Sequence, residues 1–320
     1  MKKLFITALL CGATSLMFAQ NTSTGDSYGT GNDINILQTG QNNSDVDQGS
    51  TSTIATDNIA NITQLGGLAT ANDSDVDQMG NDNVATVTQT GNSPAFGNGN
   101  TSIIDQDGGW NGTHVTQWGD DNNSYSRQVG IGNSNSTTQV GNKNKGHVYQ
   151  TGNHNASKTV QVGNRNSNRV RQNGDDNKSN TDWNIASVDI DGYTGDMKQV
   201  GNRNKSKVKQ IGSRNISAVN QDGNRNKSNV GSVTATFGPV WSPSTLTTST
   251  FGQFGDDNTM LVVQTGMLNK SGIHQVGDMN DAFHYQTGNN NVALTLQGSN
   301  SNLSRAIQVG SGNDYGAQQN

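Results

Sequence analysis

Carboxamides are the functional side chains that recur at regular spacing along this 320-residue chain. Gln recurs in 21 units, with Gly two residues later in 19 of them, and 14 of the 20 steps between units are 11 residues long. Asn stands six positions before the Gln in 19 of these units. Identical amides stacked one strand spacing apart can each donate to one neighbour and accept from the other. The pattern therefore predicts columns of hydrogen-bonded side chains, satisfied everywhere except at their ends.

Other residue types that could carry chemistry lack the arrangement that it needs. Residues 25–29 match G-x-S-x-G, but a nucleophile elbow needs a strand before it and a helix after it, and this segment is polar without a helix signal. Gly-Asp-Asp-Asn recurs at 119–122, 174–177 and 255–258, where Asp as a turn former is favoured over a weak Ca²⁺ site. Five histidines without metal-ligand spacing are expected mostly on the surface: His114, His147, His154, His274 and His284. The sequence predicts no enzyme, metal site or cofactor.

Short β-strands must position the amides. The consensus N-x-[SA]-x-V-x-Q-x-G-N-x places Asn, a small residue, Val and Gln at every second position, and alternate side chains of a strand share one face. We expect these four to point inward, and Gly-Asn-x to form a turn in which Gly supplies a positive φ and Asn tolerates one. Two units make a strand-turn-strand-turn coil of about 22 residues. The predicted fold class is all-β, a β-solenoid of stacked coils that becomes cross-β on polymerisation.

The predicted site residues come from the most regular stretches of the chain. Because a buried amide without a partner costs ~1–3 kcal/mol, we expect each to stack on its counterpart in the next coil. The predicted ladder consists of Asn133, Gln139, Asn144, Gln150, Asn155, Gln161, Asn166, Gln172, Asn204, Gln210, Asn258, Gln264, Asn269, Gln275, Asn280, Gln286, Asn291, Gln297, Asn302 and Gln308. The predicted turn glycines are Gly130, Gly141, Gly152, Gly163, Gly201, Gly212, Gly266, Gly277 and Gly288.

Composition alone favours disorder. Only 29% of the residues are hydrophobic, Glu is absent, and Asn (46 residues), Gln (25) and Gly (40) dominate. This excludes the apolar core that a chain of this length normally builds, and it disfavours helices. The periodicity outweighs the composition, because stacked coils stabilise one another although one coil cannot offset its own ordering entropy.

The segments outside the repeat define the expected domain organisation. Residues 1–19 have the basic start and short apolar run of a secretory signal peptide, and the single cysteine, Cys11, lies within it. Residues 20–31 are expected to form a polar leader, 32–312 the solenoid, and 313–320 a C-terminal tail. No later stretch is apolar enough to span a membrane.

The solenoid is expected to be interrupted by insertions near 92–99, 177–196 and 231–252. All three prolines of the chain fall in these insertions: Pro94, Pro239 and Pro243. Proline cannot donate to a strand ladder, so its confinement there supports the strand prediction elsewhere.

These residues resemble a known family. Gln150, Gly152, Asn155, Ser157 and Gln161 reproduce the curlin repeat of curli subunits, which are functional amyloids of bacterial biofilms. A second copy with the same spacing is Gln286, Gly288, Asn291, Ala293 and Gln297. The resemblance implies a secreted subunit that crosses the outer membrane unfolded through a dedicated channel, with the leader read by that machinery. It further implies assembly on a nucleator subunit into cell-surface fibres for adhesion and biofilm matrix.

The outward charges form blocks along the chain. The net charge is −12 over residues 20–142, +8 over 143–227 and −3 over 228–320. Two interpretations stay open: the charges keep strands soluble, or acidic and basic blocks of neighbouring molecules pair and set their stagger. Extracellular DNA or another matrix polymer could bind the basic block, but aromatic residues are not interleaved there as specific nucleic-acid binding would need.

Two functions from different classes compete. The first is a self-assembling structural subunit, and the alternative is a monomeric β-solenoid adhesin or a surface- or ice-binding protein. The segments at 20–31 and 311–320 look unsuited to cap open strand edges, which favours the polymer. An ice-binding face would need a flat row of Thr, whereas the outward Thr residues are not expected to form a continuous row: Thr138, Thr151, Thr265 and Thr287.

Overall fold

The computed structural model describes the side chains and backbone of five segments of the chain: residues 21–66, 71–91, 99–179, 199–230 and 251–319. For 233–237 and 244–248 it describes the backbone alone. The expected signal peptide and the three prolines lie outside the described residues. Among the described residues there is no helix, and therefore none that could cross a lipid bilayer.

Strands form where inward and outward side chains alternate, and turns form at the Gly-containing segments between them. The first half of the chain contains β1 (Asn21–Ser27), β2 (Gly29–Thr30), β3 (Asp33–Thr39), β4 (Asn42–Gln48), β5 (Ala55–Thr56), β6 (Ile59–Leu65), β7 (Asn72–Asn81), β8 (Val84–Thr90), β9 (Thr101–Gly109), β10 (Gly112–Trp118), β11 (Asn123–Ile131), β12 (Ser134–Val140), β13 (Lys145–Thr151), β14 (Ala156–Val162) and β15 (Ser167–Asn173).

The second half continues the same pattern around the insertions. It contains β16 (Lys178–Ser179), β17 (Gln199–Val200), β18 (Lys205–Ile211), β19 (Ile216–Asn224), β20 (Lys227–Ser228), β21 (Val233–Phe237), β22 (Ser244–Thr248), β23 (Gly252–Phe254), β24 (Thr259–Met267), β25 (Lys270–Val276), β26 (Asp281–Asn289), β27 (Val292–Gln297), β28 (Leu303–Val309) and β29 (Asp314–Gln319).

Successive strands alternate between two parallel sheets. Sheet A has 15 strands, ordered β1-β4-β7-β9-β11-β13-β15-β18-β20-β25-β27-β29, with β2, β5 and β23 beside this path. Sheet B has 12 strands, ordered β28-β26-β24-β19-β16-β14-β12-β10-β8-β6-β3, with β17 beside it. In regular stretches paired residues lie 22 positions apart, as Gln117 and Gln139 do. An insertion lengthens the step without shifting the register, as between Gln172 and Gln210.

The interior between the sheets is a mixed apolar and amide core. In β13, Gly146, Val148 and Gln150 are buried while Lys145 and Thr151 are exposed. The inward positions coincide from strand to strand, because parallel in-register pairing keeps every inward position above an inward position. In β24 the outward residues between Thr259 and Gln264 are buried as well. The prediction of an all-β solenoid is confirmed by these stacked parallel strands.

The stack extends further at both ends than the sequence-based boundaries. Part of the expected polar leader forms β1, which pairs in register with β4. Part of the expected tail forms β29, which pairs in register with β27. The tail is a further repeat unit, because Asn313 stands six residues before Gln319 and both occupy the inward positions of the pattern.

The insertion near 231–252 contains an antiparallel hairpin. Its strands β21 and β22 pair from Val233↔Thr248 to Phe237↔Ser244. Strand β21 lies against β25, β27 and β29 on sheet A. On the outward side of that sheet Leu294 and Phe251 are buried. The C-terminal part of the outer face of sheet A is therefore covered by the chain itself.

Candidate functional site

The glutamines form two columns through the core, one in each sheet, and the sheet B column is unbroken. In sheet B each Gln donates through Nε2 to Oε1 of the Gln in the next coil, as from Gln117 to Gln139 at 2.9 Å and from Gln139 to Gln161 at 2.9 Å. Across both sheets these bonds span 2.7 Å to 3.1 Å. Each Nε2 also reaches a backbone carbonyl, as Gln139 does at Asn123 O. The amides therefore bond both to each other and to the opposite sheet.

One step of the sheet A column departs from this rule. Gln253 Nε2 donates to Ile216 O at 3.0 Å, and the buried Oε1 of the next member, Gln275, has no partner. The step falls directly after the hairpin insertion. Gln275 Nε2 continues the column normally by donating to Gln297 at 2.9 Å.

The asparagines form a second pair of columns near the turns. Oδ1 of Asn111 accepts from the backbone N–H of Asn133 at 3.1 Å and from its Nδ2 at 3.0 Å. Nδ2 of Asn133 also donates to Gly152 O at 2.8 Å. Each Asn thus connects its own strand to the coil before it and to the turn of the opposite sheet.

The two kinds of column donate in opposite directions. A Gln donates to the Gln of the following coil, whereas an Asn donates to the Asn of the preceding coil. All the Asn and Gln residues of the predicted ladder occupy these columns and are buried, except Asn302, which is partly buried.

The turn glycines are required by close approach between coils. Gly141 has φ +108°, and a Cβ built on it would lie 2.2 Å from Gly163 O in the next coil. The other predicted turn glycines also have positive φ, and a Cβ built on any of them would lie 1.9–2.5 Å from an atom of the next coil. An L-residue would be strained in its backbone and would push the neighbouring turn away.

The turn differs from the predicted one at its second left-handed residue. The sequence pattern assigned tolerance of a positive φ to the Asn after Gly, but Lys143 has φ 61°, not Asn142. Asn142 instead accepts from the Asp120 backbone N–H through Oδ1 at 3.0 Å, and its own N–H donates to Asn164 Oδ1 at 2.7 Å. The Asn is thus needed for a third column of bonds.

His284 is buried, whereas the histidines were expected to lie mostly on the surface. It occupies an inward position of β26 and is fully buried. Its Nδ1 lies 2.8 Å from Ser271 Oγ, and its Nε2 lies 2.8 Å from Thr295 Oγ1. Thr295 continues the network to Ser304 at 2.9 Å. The signal in the sequence was its place two residues before Gln286, where the repeat normally has Val, Ile or Thr.

Among the residues that the structure describes, no charged side chain next to His284 would stabilise an imidazolium. Its in-sheet neighbours are Val262 and Ala306, and the Tyr315 ring lies beside it, with ring centroids 6.3 Å apart. Burial lowers the pKa of His284 from 6.5 to about 3. The folded chain therefore keeps this ring neutral, whereas the unfolded chain protonates it near pH 6.5.

Replacing His284 by Val should remove an acid sensitivity of the C-terminal coils. Folding lowers the pKa of His284, which is a base. The stability that its neutral form contributes is therefore complete above pH 6.5 and is lost as pH falls towards 3. The unfolding free energy of the unmodified chain should drop by ~2 kcal/mol more than that of the His284→Val variant between pH 7 and pH 5. Denaturant unfolding at the two pH values measures this difference.

His114→Val serves as the control for that experiment, since His114 is exposed on β10. Its pH dependence should match that of the unmodified chain. A His284→Val variant that loses stability with acid as steeply as the unmodified chain would contradict the prediction.

The two outer faces of the solenoid differ in chemistry. On sheet A, β7 carries Asp73, Asp75 and Asp77 outward, and β18 carries Lys205 and Lys207 among its outward residues. Burial raises the pKa of Asp77 to about 6, with further contributions from Asp75, Asp47, Asp105 and Asp45. The acidic block therefore repels itself in the isolated molecule.

On sheet B the structure overturns the expectation that outward Thr residues form no row. Thr63, Thr88, Thr116 and Thr138 are in register on β6, β8, β10 and β12, so they form a column of four. The row was missed because insertions put irregular distances between the units that carry Thr63, Thr88 and Thr116, although the register is kept.

The remaining sequence motifs lie in strands and turns. Ser27 of G-x-S-x-G ends β1, where it pairs with Gln48. The Gly-Asp-Asp-Asn segments form turns with Asp121, Asp176 and Asp257 in the left-handed region. Within the part of the chain that the structure describes, no three His or Asp side chains are grouped so that they could hold a metal ion.

Fold and site together define a class of protein, the β-solenoids whose repeat supplies stacked amide columns and glycine turns. The family model of the curlin associated repeat matches residues 255–283, which run from a turn through β24 and β25 into β26. The resemblance predicted from residue spacing is confirmed in this segment. No curated protein matches the chain. A curlin associated repeat indicates a curli-type structural subunit, a class that assembles into fibres and is not an enzyme class.

Proposed function

We propose that the chain is a secreted structural subunit of curli-like amyloid fibres at the bacterial cell surface, serving adhesion and the biofilm matrix. The curlin associated repeat at 255–283 supports the class. The in-register columns of amides support the mode of assembly, since each coil presents to the next the same donors and acceptors that it receives. Growth then needs no new kind of contact.

The observation that carries the proposal is the match between the two edge strands of sheet B. Within the described residues β3 and β28 are the edge strands of sheet B, each paired on one side only. An incoming β3 would set Gln38 over Gln308 and Asn32 over Asn302. This is the register that Gln286 and Gln308 already have inside one molecule. An exposed strand edge is a template for strand addition.

Seeded growth tests the proposal. The chain without residues 1–19, released from denaturant as a monomer, should form thioflavin-positive fibres after a lag. Fragments of its own fibres should remove that lag, and fragments of an unrelated cross-β fibre should not. Fibre diffraction should show a meridional reflection near ~4.8 Å. A monomer that stays soluble with its own seeds present would overturn the proposal.

The row of threonines on sheet B favours a second candidate, a monomeric adhesin or surface- or ice-binding solenoid. Thr63, Thr88, Thr116 and Thr138 present hydroxyls at one strand spacing on four successive strands. An uncharged row of hydroxyls at regular spacing suits contact with an ordered surface. The soluble, unseedable monomer described above is the outcome that would favour this candidate.

The proposed partners follow from the resemblance and from the turns. A nucleator subunit and an outer-membrane secretion channel belong to the curli-like assembly that we propose. An anionic matrix polymer such as extracellular DNA is a further proposed partner. Support for it comes from Lys143, Arg165, Arg203 and Arg225, which line one groove of about 710 Å³ in turns that stack on each other.

A further inference from the structure

The exposed part of the outer face of sheet A is acidic at one end and basic at the other. Eight strands follow one another there: β4, β7, β9, β11, β13, β15, β18 and β20. The first three carry Asp outward and the last three carry Lys or Arg, while β11 and β13 between them carry aromatic rings. Beyond β20 the hairpin strand β21 lies on β25, β27 and β29, which bounds this face.

The centre of this face is an aromatic cluster. The rings of Tyr125 and Tyr149 have centroids 5.2 Å apart, and His147 lies 6.2 Å from Tyr125. The Arg169 guanidinium lies 5.3 Å from the centroid of the Tyr149 ring. Half-buried aromatic residues ringed by charges resemble the centre of a protein interface, where Tyr and Arg contribute most.

We propose that this face pairs with the same face of a second copy, through a two-fold axis parallel to the strands between β11 and β13. Such an axis inverts the stacking direction but leaves the position along each strand unchanged. It therefore sets β7 over β18 of the second copy, β9 over β15, and β11 over β13. The two copies run antiparallel.

This arrangement places opposite charges at matched positions along the strands. The register chain from β7 to β18 aligns Asp73 with Lys205, and it aligns the next two outward positions in the same way. Asp75 then faces Lys207 of the second copy, and Asp77 faces its Lys209. Each contact occurs twice in a two-fold pair.

A parallel arrangement in the same register is excluded by the same charges. It would set β7 against β7, and so three carboxylates against three carboxylates. Among the described residues none of the outward Asp side chains of β7 or Lys side chains of β18 takes part in an ion pair. The antiparallel pair would supply those partners, and opposite charges facing each other give specificity and fast association.

Charge reversal tests the proposal on the chain without residues 1–19, measured within the lag before fibres form. One variant carries Lys205→Asp, Lys207→Asp and Lys209→Asp; the other carries Asp73→Lys, Asp75→Lys and Asp77→Lys. Each alone should weaken self-association at least about 100-fold in sedimentation velocity. An equimolar mixture of the two should pair again, because each acidic block then faces a basic one.

The matched control combines all six substitutions. This charge-swapped chain has the amino-acid composition and net charge of the original, and it should self-associate as the original does. Circular dichroism checks that each variant is folded; Asp→Asn and Lys→Gln versions replace any that is not. Pairing by the single-block variants as tight as the original, or no recovery in the mixture or the swapped chain, would overturn the proposal.

Salt and pH supply a second readout. Self-association should weaken as ionic strength rises from ~0.05 M to ~0.5 M, because the charges lie near solvent. It should also weaken as pH falls through about 6, where Asp77 takes up a proton in the isolated molecule. Pairing that is indifferent to both would count against charge-directed contact. Failure here would leave head-to-tail growth untouched, since that uses the strand edges.

Discussion

Replacing Gly141 by Ala should destabilise the solenoid by about 3 kcal/mol or more. The backbone there has φ +108°, and the new Cβ would lie 2.2 Å from Gly163 O. That oxygen belongs to the backbone of the next turn, so it cannot rotate away as a side chain would. Guanidinium unfolding followed by circular dichroism measures the loss, and amide hydrogen exchange around residues 119–163 locates it.

Gly112→Ala is the matched control. Gly112 begins β10, its φ is not positive, and a Cβ built on it meets nothing within 4 Å. Alanine there should be neutral or stabilise by up to ~1 kcal/mol, because it reduces the freedom of the unfolded chain. Equal losses at the two glycines would show that the stacked turn does not impose the requirement.

Replacing Gln150 by Leu should cost ~2–4 kcal/mol, although leucine has a similar volume. Gln150 Nε2 donates to Gln172 Oε1 at 2.9 Å, and Gln150 Oε1 accepts from Gln128 Nε2 at 2.8 Å. Gln128 keeps a bond to Gly112 O at 3.1 Å, but Gln172 Oε1 loses its donor in a buried site. The free energy of unfolding in denaturant measures this loss.

The glutamine at the C-terminal end of the sheet A column gives the control. Gln319 is partly exposed and accepts from Gln297 Nε2, which also donates to Asp281 O at 3.0 Å. Gln319→Leu should therefore cost less than ~1 kcal/mol. If the central and terminal substitutions destabilised the chain equally, stacking of the amides would not be the source of stability.

Much of the fold could be predicted because the same type of residue recurs at each inward position of the repeat. Asn, a small residue, Val and Gln at alternate positions leave one arrangement in which every amide finds a partner, and the structure has that arrangement in β13 and its neighbours. The turn glycines could be predicted for the same reason, since positive φ and close approach both exclude other residues.

The remaining features depend on contacts that no single unit contains. The left-handed residue of the turn varies between Lys143, His154 and Arg165, so its type gives no signal. His284 replaces an apolar residue, and its burial depends on hydroxyls from β25 and β27. The threonine row cannot be recognised from the sequence, because insertions separate its members and only the register of sheet B aligns them.

The opposed donation of the Gln and Asn columns has a consequence for growth. A molecule added upside down would bring Nε2 against Nε2 at the tip, so every member of one filament must point the same way. Two filaments joined face to face through sheet A would point oppositely. Such a bundle would show no overall polarity, and its two ends would lengthen at the same rate although the two ends of each filament differ.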